Sequence, residues 1–151
     1  MKRYIGTKII KAKPMTRGEY NHYRGWDIPE NENPEDNGYL VEYSDGYQSW
    51  SPEKQFKDAY RECDNMTFGL AIEAMKHGLK VARSGWNGKG MFLFLAEDIE
   101  FTTKADLSCV SELKGELTLP SVVMKTADNH FCIGWLASQT DMIAEDWNIV
   151  D

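Results

Sequence analysis

Asp141 and Glu145 stand four apart in the run Ala137-Ser138-Gln139-Thr140-Asp141-Met142-Ile143-Ala144-Glu145-Asp146-Trp147. On a helix that spacing turns both carboxylates the same way. Such a pair can move protons or hold a metal. A solvated acidic turn, with Asp146 bonding local backbone, is the plain alternative. The other stretch with chemical potential is Ser84-Gly85-Trp86-Asn87-Gly88-Lys89-Gly90-Met91. Glycines let a ligand approach the backbone, the indole offers a stacking face, and Lys89 offers a cation. The plain reading here is a strand-to-strand turn, because Asn-Gly is a strong hairpin dipeptide.

Groups that would react with a substrate are missing. The chain has no nucleophile motif, no G-x-x-x-x-G-K-[ST] phosphate loop and no H-E-x-x-H. Gly85 to Gly90 has the wrong spacing for a phosphate loop, and an apolar strand follows where a helix should start. Cys63, Cys109 and Cys132 make an odd count with no CxxC spacing, which argues against a disulfide framework and a zinc site. His130 and Cys132 would share a strand face, read as a surface histidine beside a buried thiol. No metal and no cofactor is expected. A binding reading fits better. Trp86, Phe92, Trp135 and Trp147 can offer rings to a purine, although each tryptophan is equally readable as core. Asn87, Ser138, Gln139 and Asp141 can read polar edges. The helix starting at Gln139 offers free N–H groups, and Arg83 and Lys89 are the nearby cations. The constellation suits a nucleotide-like ligand.

The 151 residues can bury a real core, as one domain or two small ones. A formal net charge of −7 disfavours binding to a nucleic-acid polymer or an anionic membrane, both of which want a basic face. The longest apolar run, Met91 to Ala96, is too short to span a bilayer. Met1-Lys2-Arg3-Tyr4 starts basic, but no apolar signal-peptide core follows, so a cytoplasmic protein is expected.

Two small α+β units must position these residues. In the first, Lys8 to Ala12 reads as a strand broken by Pro14, and Thr16 caps a helix reaching Tyr23. Asp27 to Gly38 is an exposed acidic loop. Tyr39 to Tyr43 and Tyr47 to Trp50 flank Asp45-Gly46 as a hairpin, and Ser51 caps a helix with Pro52 at its first position and Phe56, Ala59 and Tyr60 as its apolar stripe. Most of this unit's aromatics are expected in its core. In the second unit Thr67 caps a helix from Phe68 to His77, with Gly78 as its C′ residue and Leu70, Ala71, Ala74 and Met75 on one face. Strands follow at Val81 to Arg83, Met91 to Ala96, Leu119 to Lys125, Phe131 to Trp135 and Trp147 to Val150. Glu97 to Gly115 reads as a long loop, with Phe101 and Val110 dipping inward. Ser138 caps about two helical turns over Gln139 to Ala144. The layout is an antiparallel sheet with one main helix and one short helix.

Thr67 to Gly78, Val81-Ala82-Arg83, Gly85 to Met91, Trp135 to Met142 and Ala144 to Trp147 together resemble the second family of Thoeris anti-defence proteins, which are phage-encoded sponges. The resemblance covers residues 66 to 151, which sets expected domains of 1–65 and 66–151. The first resembles a small module recurrent in phage proteins, in Pro14 to Tyr20 and Gly46 to Pro52. The family resemblance implies a homotetramer in the cytoplasm of the infected host. It implies sequestration, without degradation, of a cyclic ADP-ribose isomer made by bacterial TIR enzymes, and in some members of cyclic dinucleotides too. Carried over by residue, the expected ligand contacts are Trp86, Asn87, Gly88, Ser138, Gln139 and Asp141, beside Arg83, Phe92, Trp135 and Trp147. The competing readings are a nucleotide hydrolase using Asp141 and Glu145, and a protein-interaction module.

Overall fold

The computed structural model describes residues 1–3, 6–97 and 119–151. Cys109 and the expected inward-dipping Phe101 and Val110 lie outside the described residues. The chain forms two compact units, Met1–Arg61 and Glu62–Asp151. The division falls before residue 65 because Cys63 and Met66 already belong to the second unit. The Cys63 carbonyl accepts from the Ile149 amide, and Met66 exchanges backbone hydrogen bonds with Trp147.

The first unit is an antiparallel sheet ordered β1-β2-β3, from strands Lys11–Pro14, Gly38–Glu42 and Gln48–Pro52. Pro14 does not break the first strand. It pairs with Tyr39 as the strand's last residue, on a sheet edge where a missing N–H is tolerated. Helix α1 (Arg17–Arg24) carries a full capping box between Thr16 and Glu19 and ends at Gly25. Helix α2 (Glu53–Ala59) has no side-chain cap: Ser51, expected to cap it, is a strand residue paired with Tyr39. Ala59 is exposed, so Phe56, stacked on Tyr39 at 4.0 Å, anchors that helix. The acidic loop is mostly exposed but tethered. Arg17 grips Glu32 through two hydrogen bonds, and Asn21 adds a third. These bonds hold the Glu32 carboxyl down at about 2. Of the aromatics expected in the core only Tyr20 is buried, while Tyr23, Trp26 and Tyr47 are more than half exposed.

The second unit is a five-stranded antiparallel sheet ordered β7-β6-β5-β4-β8, with α3 (Phe68–Lys76) packed on it. Its strands are β4 (Lys80–Arg83), β5 (Phe92–Ala96), β6 (Ser121–Lys125), β7 (Phe131–Ile133) and β8 (Trp147–Val150). The Thr67 hydroxyl accepts from the Leu70 amide, and Gly78 adopts φ 79° just beyond the helix. Side chains alternate along each strand. Val81, Leu93 and Ile149 therefore share the face under α3 with Ala71, Ala74, Met75 and Trp147. Burying a side chain such as Leu93 completely stabilises the fold by about 1.5–3 kcal/mol. β7 is shorter than expected: Gly134 turns the chain at φ 78°, and Trp135 leaves the strand to join the α3 side. Cys132 is exposed rather than buried, because β7 is the edge strand among the described residues and all three of its residues are exposed. The fold is α+β, with the antiparallel sheet, main helix and short helix that the pattern implied.

Candidate ligand-binding site

β4 ends at Arg83, and the chain needs eight residues, Ser84 to Met91, to reach β5. This is not a two-residue Asn-Gly hairpin. A type I′ turn needs positive φ at both central residues, yet in this loop only Gly90 has it, at 69°. Gly88 serves space instead: a Cβ there would fall 2.0 Å from the Met91 sulfur. The Lys125 ammonium closes the far end by donating to the Gly90 carbonyl at 3.0 Å.

Helix α4 (Gln139–Ile143) lies across from this loop and is short. Ser138 caps it through a complete box: its hydroxyl accepts from the Asp141 amide, and the Asp141 carboxylate accepts from the Ser138 amide at 3.0 Å. The charge of Asp141 therefore already occupies the helix's positive end. Ala144 turns extended, so Glu145 leaves the helix and points to solvent while Asp141 is buried. The carboxylate pair that the spacing allows does not form.

Asp141 is the hub of the site. Its Oδ1 accepts from Arg83 Nη1 at 2.8 Å and, in a long contact of 3.4 Å, from the Trp86 indole. Its Oδ2 accepts from the Ser138 amide and hydroxyl, and its backbone carbonyl accepts from the Trp147 indole. Burial pushes its pKa up, but the donors from Ser138, Arg83 and Trp86 outweigh burial and bring it to about 2. Such a group stays ionised at neutral pH and has no spare proton to exchange. Arg83 is bound on two sides, since it also donates to Asp146 from Nε at 2.8 Å and from Nη2 at 3.4 Å. These hydrogen bonds to Asp146 and Asp141 raise the Arg83 pKa further.

Above this polar cluster sits an aromatic one. Trp86 meets Trp147 edge-on at 5.4 Å and Trp135 at 6.2 Å, and Phe68 contacts both Trp135 and Trp147. Trp147 is fully buried and belongs to the core. Trp86 and Trp135 are half-buried. Asn87, Lys89, Ser138 and Gln139 are exposed around them. Phe92 is not brought here. It lies on the opposite sheet face from Leu93, beside Phe94 at 6.2 Å and under the Lys80 ammonium. Asp146, read from sequence as bonding only local backbone, in fact reaches Arg83 and Gly85. No local sequence signal marks this contact, which depends on the pairing of Arg83 with Trp147 across the sheet. Among the described residues no group of three or more His, Cys, Asp or Glu side chains could hold a metal. A cavity of about 300 Å³ lies in the first unit, but its carboxylates are tied, Glu19 to the Thr16 amide and Glu53 to Lys57.

Residues 66–150 match the family described as a Thoeris anti-defense 2-like domain. A protein of Bacillus phage SP01 named Thoeris anti-defense 2 is 42% identical over 85 residues, which span 56% of this chain and 94% of the relative.

Proposed function

The chain belongs to the Thoeris anti-defense 2-like family, and from that premise we propose that it is a phage anti-defence protein that works by sequestration. It binds a cyclic ADP-ribose isomer made by bacterial TIR enzymes and releases it unchanged, in the cytoplasm of the infected host. The observation that carries this reading is the junction of two stretches distant in sequence. Trp86 and Asp141 meet through the indole N–H, and Arg83 ties both motifs together. Around that junction the half-buried Trp86 and Trp135 are the rings available for stacking, with Asn87, Ser138 and Gln139 as polar readers. Lys89 is the exposed cation of the loop. Trp147 supports this surface from beneath.

The chemistry suits holding a ligand and not cleaving it. The acid/base candidates are unsuited: Asp141 is fully engaged and strongly ionised, and Glu145 points elsewhere. Nanomolar capture corresponds to about −12 kcal/mol, which a small ligand reaches only when most of its surface is enclosed. A homotetramer with pockets at subunit contacts would supply the missing walls, and cyclic dinucleotides are a second ligand class for such an assembly. Calorimetric titration with the cyclic ADP-ribose isomer, followed by mass analysis of the ligand, tests the reading. Saturable nanomolar binding with the ligand mass unchanged is expected. New masses accumulating beyond the number of sites would establish a hydrolase instead.

A further inference from the structure

Asp146 holds the entry of the Trp86 loop with both its side chain and its backbone. Its Oδ2 accepts from the Gly85 amide at 2.9 Å, and its backbone carbonyl accepts from the Ser84 amide at 3.1 Å. Its Oδ1 accepts from Arg83 Nε at 2.8 Å, and the same guanidinium reaches on to Asp141, which receives the Trp86 indole. Gly85 fits this arrangement sterically: a Cβ there would lie 2.9 Å from Asp146 Oδ2, too close for the carboxylate to cover the amide. Asp146 itself is fixed by its neighbour, since Trp147 is fully buried and pairs with Arg83 across the sheet. The Asn148 amide adds a bond to the Ser84 hydroxyl at 3.2 Å.

We propose that Asp146 is a positioning residue for ligand capture. By clamping Ser84 and Gly85, and by bracing Arg83 against Asp141, it presets the Trp86 indole in its binding orientation. Asp146 does not touch the ligand. The inference rests on the reading that the Trp86 loop binds the cyclic signal. Its physical basis is preorganisation: a loop with three glycines is costly to order, and a clamp present before binding removes that cost from the binding step.

The test is Asp146→Asn in the full chain, with Gly85→Ala as a second variant that displaces the carboxylate while keeping both charges. Amide exchange at Gly85 and the Trp86 indole NMR resonance are read in the ligand-free protein, and affinity for the cyclic ADP-ribose isomer is read by titration. Faster Gly85 exchange, an indole shift toward solvent-exposed tryptophan, and about tenfold weaker binding are expected. An unaltered indole shift in both variants, with the amide of residue 85 exchanging as slowly as in the parent, overturns the clamp. A loosened loop with undiminished affinity overturns its link to capture. A wild-type protein that fails to bind the signal overturns the proposed function instead, and the exchange measurement still decides whether the clamp exists.

Discussion

Trp86 and Trp147 share a residue type and a cluster, yet their exposures assign them different work. Trp147→Ala removes a fully buried ring and should destabilise the second unit by about 3–5 kcal/mol, seen as a lower thermal midpoint. Trp86→Ala takes away a half-buried ring at the surface. It should leave the unit folded and weaken ligand capture by about 1–3 kcal/mol, the usual worth of one base–ring stack. A Trp86→Ala protein that binds as tightly as the parent would return this residue to a packing role. The pKa of Asp141 falls from 3.8 to about 2 on folding, so its contribution to stability is present above about pH 4 and lost as pH falls toward 2. The linkage amounts to about 2 kcal/mol. Asp141→Asn should destabilise the unit at neutral pH and flatten its stability across that acid window, as read by denaturant unfolding at several pH values.

Elements were legible where one local signal decided them. Thr16, Thr67 and Ser138 each cap the helix that follows, because a hydroxyl three residues ahead of a free amide is a local arrangement. Ser51 was misleading: its cap would have competed with pairing to Tyr39, and the ladder won. Asn87-Gly88 misled for a similar reason. Turn propensity favours two residues, but Arg83 and Trp86 have partners that demand a longer excursion, and the left-handed residue moved to Gly90. Gly90→Ala should therefore strain the loop by about 1–2 kcal/mol, detectable as a lower thermal midpoint. The pairing of Asp141 with Glu145 failed because the helix stops at Ile143, a boundary that no glycine or proline marks. The Arg83–Asp146 contact was the least legible feature, since 63 positions separate its partners in the chain and only the β4–β8 register joins them.

At the scale of the molecule, the phage relative matches this chain over 85 residues that make up 94% of its own length. The sponge chemistry proposed here then resides in the second unit, whose hydrophobic cluster and polar hub are drawn from residues 66–149. A protein of residues 62–151 alone should fold cooperatively and keep the affinity of the full chain, as circular dichroism and titration would report. Loss of binding on that truncation would give the first unit a part in the site. Among the described residues no helix is long and apolar enough to cross a membrane. Capture without turnover is decided by filtration. The protein is mixed with a limiting amount of the cyclic ADP-ribose isomer and passed through a filter, and the retained fraction is heated and analysed by mass. Free signal should disappear from the filtrate, and heating should return it intact, in fixed proportion to protein. Undiminished signal in the filtrate, or recovery of cleaved products, would contradict capture without turnover.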